Sequence, residues 1–389
     1  MTAFPRLRSV LFRLHWALGL TAGLVLALMG ITGALLSYEE AIGDLVDADL
    51  ALVRVEEGRG RLTPEALVAR AQAERPGARV EALTLSGDPA EAPRLRFARG
   101  RDGARPASLY LDPYDGAVRG EARTEAAFAT IRALHRWLLL PGDGRGWGRT
   151  LTGFCALSLL VFLGTGLYLR WPKLHRWRIW LKPSLSRPGR ARWWSLHAVL
   201  GTWLVPVYAV IALSGLWWSY DWYRTGATLL LTGASPAAKA ERKRGAGGPL
   251  ALDKAWAAFM AGPGREARLS VIALPGPEAE AIRIRFLTAT GGQGQKDRDE
   301  ARFSAETGAL LAVQPAADKP LGRQIAENML EVHRGRFFGA PVALLFCLAA
   351  LMMPLFAGTG LTLYWLRRAA ARRRAPPATQ PAYAAAGGS

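Results

Sequence analysis

The sequence predicts an α-helical membrane protein with four transmembrane helices, two small external α+β domains and an internal two-fold repeat. Half of the residues are hydrophobic, and apolar blocks without any formal charge run over 14–38, 150–169, 193–220 and 337–366. A bilayer core about 30 Å thick needs roughly 20 apolar residues of helix, so each block is long enough to cross a membrane. Such long uncharged runs are typical of spanning helices and not of buried helices in soluble proteins.

These blocks divide the chain into spans and connecting segments. Spans are predicted at 14–38, 149–170, 193–220 and 342–366. The other segments are an N-terminus at 1–13, external domains at 39–130 and 221–330, segments at the membrane surface at 131–148 and 331–341, a basic loop at 171–192, and a disordered basic tail at 367–389. Within the second external domain, 234–249 is predicted to be a mobile linker.

The first block follows three arginines, as the core of a secretory signal would. It is longer than a signal core, however, and no pattern of small residues for cleavage follows it. We therefore interpret 14–38 as a membrane anchor.

The formal net charge of +19 indicates membrane orientation and not nucleic-acid binding. The segments 1–13, 170–192 and 367–389 hold 16 basic residues and no acid, whereas all 31 Asp and Glu lie in the other two loops. Basic loops stay on the cytoplasmic side of a membrane. Both termini and the basic loop are therefore predicted to be cytoplasmic, both long loops to be external, and no nucleic-acid partner is expected.

Similar motifs recur in the two halves of the chain, which predicts one unit used twice. "RLHWALGLTAG" resembles "SLHAVLGTWLV", with His15 and Gly19 matching His197 and Gly201. "GITGALLSYEE" resembles "IALSGLWWSYDW", and "GTGLYLRW" resembles "GTGLTLYW". The segments "LHRWLLLPGDG" and "VHRGRFFGAPV" align through the remaining matched pair, His135 and His333.

The two external domains follow a common pattern as well. "TPEALVARAQAERPG" has helical spacing and precedes the alternating stretches "RVEALTL", "PRLRFAR" and "ASLYLDPYDGAVRG". "ALDKAWAAFMAG" likewise precedes "ARLSVIAL", "AIRIRFLTA" and "ARFSAETGALL". Each is predicted to be a helix packed on a few antiparallel strands.

Four of the five histidines are predicted to lie at two depths in the membrane. The first and third spans run outward, which places His15 and His197 near the cytoplasmic face; His135 and His333 precede the inward spans and lie at the external face. Ionisable groups at such depths usually have a function. Two facing imidazoles suit the two axial positions of a haem iron, with Gly19 and Gly201 leaving room for a porphyrin.

Other interpretations of these residues stay open. Each histidine is also compatible with an ordinary residue at a helix end, and His175 has no repeat partner and is interpreted as a solvated loop residue. Zinc is disfavoured because no Cys, Asp or Glu lies near His15 or His197. The two cysteines, Cys155 and Cys347, lie within spans and are interpreted as packing residues.

Arginines and aromatic residues near the two levels are further candidates. Arginine suits the carboxylates of haem propionates, although snorkelling at the membrane surface explains each one equally well. The candidates are Arg13 and Arg192 inside, with Arg132, Arg136, Arg149, Arg334 and Arg336 outside. The aromatic residues at the outer level, among them Trp147, Trp218 and Trp222, favour an aromatic belt over a docking surface.

The order of "FRLHW", "LHRWLLLPGDGRGWGR", "YLDPYDG", "WWSLHAVLG", "VHRGRFFGAP" and "GTGLTLYW" resembles the PepSY-associated transmembrane proteins, often called iron-regulated membrane proteins. Within that family it resembles the inner-membrane ferric-siderophore reductases of Gram-negative bacteria. The resemblance covers about residues 8–368. It implies four helices, two periplasmic PepSY domains and two b-type haems, with His15, His135, His197 and His333 as iron ligands.

The sequence is compatible with three functions. The first is a dihaem oxidoreductase of the inner membrane that passes electrons to a periplasmic ferric siderophore, because reduction to Fe(II) weakens the bonds from hard oxygen ligands. The second is the same conduit serving another acceptor or a partner reductase. The third is a haem-free PepSY protein that binds a periplasmic partner or carries a siderophore. The sequence holds no nucleotide or flavin motif, so the donor, cytoplasmic or quinol, is open.

Overall fold

A computed structural model describes residues 4–100, 103–142, 144–171, 180–234, 250–276, 280–288 and 294–374. The elements, in chain order, are α1 (Phe4–Ser37), α2 (Glu39–Val46), α3 (Ala48–Ala51), α4 (Pro64–Glu74), β1 (Val80–Ser86), β2 (Arg94–Phe97), β3 (Leu109–Leu111), β4 (Val118–Glu121), α5 (Glu125–Trp137), α6 (Trp147–Arg170), α7 (Arg190–Trp203), α8 (Val205–Ser219), α9 (Asp221–Thr232), α10 (Leu252–Ala261), β5 (Ala267–Ala273), β6 (Ala281–Thr288), β7 (Asp299–Ser304), β8 (Leu310–Gln314), α11 (Leu321–Glu327), α12 (Met329–His333) and α13 (Ala340–Arg374). The predicted linker 234–249 lies almost wholly outside the described residues, as does His175.

Three described helices, α1, α6 and α13, are each long and apolar enough to cross a membrane. A fourth span exists if α7 and α8 are counted together, and these two helices are bent by 63° at a short break. The single helix predicted over 193–220 is therefore corrected to a bent pair. Pro206 lies in the first turn of α8, where its ring and missing N–H prevent continuation of the preceding helix.

Two further segments differ from the prediction. The tail predicted to be disordered continues the last helix as far as Arg374, because its run of alanines and arginines consists of good helix formers. Residues 375–389 lie outside the described part of the chain. The start of the second external domain forms the helix α9, which the strand pattern around it did not indicate.

One antiparallel sheet of eight strands contains the strands of both predicted external domains. Its order is β4-β3-β2-β1-β5-β6-β7-β8, so the two sets join where β1 pairs with β5. Leu83 faces Ile272 across that junction, and both side chains are fully buried. The sequence predicts two small domains, whereas the structure has a shared sheet and core, because pairing removes the exposed edges that β1 and β5 would otherwise present.

Both domain helices pack on one face of this sheet. Leu67 of α4 and Phe259 of α10 belong to the same buried cluster as Phe97 and Phe303, which lie on opposite halves of the sheet. Buried and less buried side chains alternate along β2 and most of β6, which places their apolar residues on the helix-covered face. On the other face, Tyr110 of β3 packs with Leu50 of α3 in a smaller buried cluster. We call the end of the helix bundle that carries the sheet the sheet end, and the opposite end the basic end.

A close crossing of α1 and α13 holds the bundle together. A Cβ atom on Gly30 would lie 2.4 Å from the carbonyl oxygen of Ala350 and 2.7 Å from Cβ of Met353. Only glycine fits at this contact, as is common where helices approach closely in membranes. Leu26, Cys155, Tyr208 and Ala349, from α1, α6, α8 and α13, form the buried core around it.

Candidate functional site

The four repeat-matched histidines come together as two pairs. His15 of α1 and His197 of α7 have ring centroids 6.3 Å apart, with an angle of 72° between the ring planes. His135 near the end of α5 and His333 at the end of α12 have centroids 6.4 Å apart at 65°. The first pair lies towards the basic end and the second at the sheet end. The pairing by depth that the sequence predicts is thus the one that the structure contains.

Each histidine contacts a hydroxyl group through its Nδ1 atom. The Nδ1 of His15 lies 2.8 Å from Oγ1 of Thr165, and that of His197 lies 2.8 Å from Oγ1 of Thr359. At the sheet end, the distances are 3.0 Å from His135 to Oγ1 of Thr32 and 2.8 Å from His333 to Oγ of Ser214. Four hydroxyl groups, on α6, α13, α1 and α8, therefore fix the four rings.

These contacts determine which ring nitrogen carries the proton. Every one of the four hydroxyls also donates to the carbonyl four residues earlier in its own helix, for example Thr165 to Val161 at 2.6 Å and Ser214 to Val210 at 2.6 Å. A hydroxyl has one proton, so it must accept a hydrogen bond from the histidine. Nδ1 then carries the hydrogen, and the lone pair of Nε2 is left for a metal.

A glycine follows each hydroxyl residue and makes room for the imidazole ring. A Cβ atom on Gly33 would lie 3.0 Å from Cε1 of His135, and one on Gly215 would lie 3.4 Å from Cε1 of His333. At the other level the equivalent distances are 3.6 Å from Gly166 to His15 and 3.9 Å from Gly360 to His197. The motif of a hydroxyl residue followed by glycine therefore forms a cradle for each histidine.

The glycines singled out in the sequence have a different environment. A Cβ atom on Gly19 would meet no atom within 4 Å, whereas one on Gly201 would meet the ring of Phe356 at 3.6 Å. The open face at Gly19 agrees with the room predicted there. The hydroxyl residues and the glycines beside the rings were missed by sequence reasoning, although the aligned repeats "ITG" with "LSG" and "GTG" with "GTG" contained the signal.

Aromatic rings pack against three of the histidines. Phe162 contacts His15 with a centroid distance of 5.2 Å, Phe356 contacts His197 at 5.4 Å, and Trp218 contacts His333 at 5.6 Å. Such edge-to-face contacts restrict ring rotation. Trp218, predicted as part of an aromatic belt, thus lies directly against the candidate site.

The two histidines at the sheet end are neutral near pH 7. Burial lowers the pKa of His135 to about 4 and the pKa of His333 to about 3. Arg136 and Arg334 contribute to the lower pKa of His135, and His135 and Arg334 contribute to the lower pKa of His333. Neutral imidazole is the form that binds metals.

The arginines predicted outside lie around this level, and most of them are engaged by acids. Arg132 and Arg334 both contact Glu39, the second at 3.6 Å. Three more candidates have partners of their own: Arg336 donates to Glu40 at 2.7 Å, Arg149 lies 3.1 Å from Asp221, and Arg136 lies 5.0 Å from the ring centroid of Trp137. Their predicted role towards propionates stays a prediction.

At the basic end, a different arginine from the predicted ones approaches the histidine pair. Arg13 and Arg192 are exposed. Arg170, by contrast, donates to the carbonyl of Ala198, which follows His197, and to the hydroxyl of Thr202. The sequence predicts Arg170 as the last residue of the second span and as part of the basic cytoplasmic charge, but its contacts with Ala198 and Thr202 are visible only in the fold.

A cleft of about 380 Å³ opens at the sheet end between α6 and the junction of α8 and α9. Arg145, Arg149, Tyr220 and Trp222 contribute to its lining. A Cβ on Gly144, also in the lining, would lie 3.5 Å from the ring of Trp137, two residues from His135. The cleft therefore lies close to the outer pair of histidines.

The chemistry of the donor set limits which group the pairs can hold. Within the described ranges, no three His, Cys, Asp or Glu side chains come together as ligands for a metal ion. Cys155 and Cys347 are free thiols, as the packing interpretation predicts. Each level thus offers two neutral nitrogen donors, which suits a metal that brings its remaining ligands with it and not a four-ligand protein site.

Long apolar helices, an external sheet and paired histidines define a multi-pass membrane protein with two candidate cofactor levels. The model of the PepSY-associated TM region matches residues 12–368, so the chain belongs to the PepSY-associated transmembrane family. A comparison with curated proteins found no match.

Proposed function

We propose that this protein is a dihaem electron-transfer protein of the bacterial inner membrane that reduces periplasmic ferric siderophores and so releases Fe(II). Its electrons come from a cytoplasmic donor or from the quinol pool. One observation carries the proposal: two pairs of histidines, one at each end of the bundle, face each other with Nε2 free and Nδ1 fixed by a hydroxyl.

The spacing within each pair fits a haem iron. Two bonds of about 2 Å from a metal to imidazole nitrogens, together with the radii of two rings, give a centroid separation close to the 6.3 and 6.4 Å found here. His15 and His197 would hold one haem, and His135 and His333 the other. A bound haem supplies an iron that takes up and gives off one electron.

The chain's own residues support this chemistry in three ways. Thr165, Thr359, Thr32 and Ser214 hold each imidazole as the tautomer that binds a metal, which is the usual role of groups behind metal ligands. Apolar side chains of α1, α6, α8 and α13 exclude water from the space between the two levels. Two levels are needed because one site would not serve both faces of a bilayer about 30 Å thick.

The cleft beside the outer pair is our candidate for the place where the acceptor docks. Its volume of about 380 Å³ lies within the range of small-molecule sites. Arg149 and Asp221 of the lining form an ion pair, so Arg145 leaves the cleft with a net positive charge, and the rings of Tyr220 and Trp222 give it flat surfaces. Both properties suit a chelate with anionic oxygen ligands.

The test is the haem content and the absorption spectrum of the purified protein in detergent. We expect two haems per chain, with b-type bands that sharpen on reduction. His15→Ala or His197→Ala should remove one haem, His135→Ala or His333→Ala the other, and a double variant within a pair should lose little more than the worse single variant.

The control is His175→Ala, which should keep both haems. A wild-type protein without haem would reject the proposal and favour a PepSY protein that binds a partner or carries a siderophore. Anaerobic reoxidation of the reduced protein by a panel of ferric siderophores tests the acceptor separately. If no ferric siderophore reoxidises the reduced protein, the remaining hypothesis is an electron conduit that serves another acceptor.

A further inference from the structure

Two arginines face each other on the open side of the sheet with no acid between them. Arg283 of β6 is the direct cross-strand partner of Arg302 of β7. Their neighbours Ile282, Ile284 and Phe303 are fully buried under the helices, so the two arginines lie on the opposite face, where both are exposed. In the described part of the chain, neither arginine has an ion pair or a side-chain hydrogen bond.

The same place in the other half of the sheet is neutralised. "RLRF" of β2 and "RIRF" of β6 make Arg94 the counterpart of Arg283. Arg94 lies directly opposite Tyr110, with its guanidinium 5.6 Å from that ring, and 2.5 Å from a carboxylate oxygen of Glu125. Arg302 thus takes the position of Tyr110 in the second half, and among the described residues no acid pairs with Arg283 as Glu125 does with Arg94.

Two neighbouring arginines on this face have acidic partners. Arg285, two residues along β6, lies directly opposite Glu300 and 3.0 Å from its carboxylate. Arg96 lies 3.6 Å from Glu81. The pair at 283 and 302 differs from both, because neither of its arginines has an acidic partner in the described part of the chain. Like charges directly opposite each other in a sheet are destabilising, so the arrangement has a cost that a bound anion would remove.

Small side chains lie beside the pair. Across the sheet, Ala273 is the partner of Arg283 on one side, Ala82 is the partner of Ala273, and Ala312 is the partner of Arg302 on the other side. This row leaves a flat shelf next to the two guanidinium groups. Paired guanidinium groups on a flat surface match the planar geometry of carboxylate and phosphate oxygens.

The pair lies along β7 from the end of the strand that approaches the bundle. Lys296, just before β7, has its Nζ 5.8 Å from the ring centroid of Phe337. Arg302 is three residues beyond the first residue of β7, which adds about 10 Å along the strand. We therefore take a free anion as the ligand and use a lipid headgroup as the alternative outcome of the test.

We propose that Arg283 and Arg302, with the alanine shelf beside them, form a binding site for a small soluble polyanion that presents carboxylate or phosphate oxygens. The site belongs to the second half of the sheet alone. It is separate from the histidine pairs, and haem content does not report on it.

The test uses the full chain in nanodiscs of zwitterionic phosphatidylcholine, with citrate and inorganic phosphate as probes. Calorimetric titration of the wild type should detect citrate binding that weakens with salt. Arg302→Tyr, which recreates the arrangement of the first half, and Arg283→Gln should each weaken it by about tenfold or more. Arg285→Gln is the control, because it removes one exposed positive charge from the same strand at a position that already has an acidic partner, Glu300, and it should change the affinity less than about twofold.

Thermal unfolding supplies a second measurement and shows that each variant is folded. Without ligand, Arg302→Tyr should unfold at a higher temperature than the wild type because it removes the repulsion. Citrate should raise the unfolding temperature of the wild type and leave that of Arg302→Tyr unchanged. The proposal is overturned if the wild type binds neither probe, or if Arg285→Gln weakens binding as much as Arg302→Tyr. A response to nanodiscs containing phosphatidylglycerol, with none to free citrate, would overturn the assignment to a soluble ligand.

Discussion

Hydroxyl groups decide what the histidines of this protein can do. A histidine alone has two possible tautomers, and only one of them presents Nε2 as a lone pair. The hydroxyl of Thr359 donates to the carbonyl of Leu355 at 2.7 Å and lies 2.8 Å from Nδ1 of His197. The proton of the hydroxyl is therefore used within the helix, and Nδ1 must be the donor. The same arrangement at the other three sites makes the tautomer a property of the fold.

Thr359→Val should raise the midpoint potential of the haem proposed at the His15 and His197 level. The hydrogen bond from Nδ1 makes the imidazole a stronger donor and favours the ferric iron, so its loss favours the ferrous iron. A hydrogen bond of about 1 kcal/mol corresponds to roughly 40 mV for a one-electron couple. A redox titration followed by absorbance measures the shift.

Thr362→Val is the control for that substitution. It lies on the same helix, and its hydroxyl donates to the carbonyl of Gly358 at 2.8 Å without a contact to any histidine. An equal shift in both variants would show that the hydroxyl of Thr359 does not act through His197.

The sequence predicted the four histidines and their pairing, and it missed the residues behind them. Histidine is rare in this chain, so the matched positions of His15 and His197 were visible without a fold. Threonine and serine are common in spanning helices, and the repeated "GTG" motif around Thr165 does not identify the residue that its hydroxyl contacts. What distinguishes Thr165 is a contact with a residue 150 positions away, which only the packing of α1 on α6 determines.

Close contacts between helices depend on glycine at particular positions. On α1, Gly30 lies against the backbone of α13, whereas a Cβ on Gly23 would meet no atom within 4 Å. The two glycines are two turns apart on one helix and look alike in the sequence. Their different surroundings set different costs for the same substitution.

Gly30→Ala should destabilise the protein, and Gly23→Ala should not. An added Cβ at residue 30 would lie 2.4 Å from a backbone oxygen, and relief of such overpacking costs about 1 to 3 kcal/mol. At residue 23, alanine adds helix propensity and meets nothing. Thermal unfolding in detergent compares the two, and equal unfolding temperatures would contradict the packing of α1 on α13.

The bend between α7 and α8 shows where the prediction of elements failed and why. The uncharged block over 193–220 predicted one helix, because hydropathy describes the polarity of side chains and not the direction of the backbone. Pro206 was the available signal, since proline interrupts helices. Its effect on direction, a bend of 63°, depends on how His197 on α7 and Ser214 on α8 pack at opposite ends of the bundle.

The shared sheet gives the two halves of the whole molecule one core. The prediction of two domains followed from the pattern of each half, and each pattern was correct for its own strands. The pairing of β1 with β5 could not be predicted, because the sequence of an edge strand does not identify the strand with which it pairs. Leu83 and Ile272 face each other across that junction, and both are fully buried in the common core.

Ile272→Ala should therefore weaken both halves of the sheet together. Truncation of a fully buried isoleucine costs about 2 to 5 kcal/mol. Amide hydrogen exchange should become faster in β2 and β3 as well as in β6 and β7, because they share one core. Val118→Ala, on the exposed edge strand β4, should change exchange only locally. Faster exchange confined to β5–β8 in the Ile272 variant would show that the halves unfold separately.

The distribution of charge over the whole chain predicts its orientation in the membrane. Sixteen basic residues and no acid lie in the segments 1–13, 170–192 and 367–389, and all 31 Asp and Glu lie in the other two loops. Moving that many positive charges across a membrane opposes the preference of basic loops for the cytoplasm.

A reporter fused after Arg368 should therefore be active in the cytoplasm, and one inserted at residue 247 should be active in the periplasm. Replacement of Arg367, Arg368, Arg372 and Arg373 by Gln should leave this orientation unchanged, because the basic residues of 170–192 remain. The reverse activity of either reporter would place the histidine pairs at the wrong faces and remove the direction of electron flow from the proposed function.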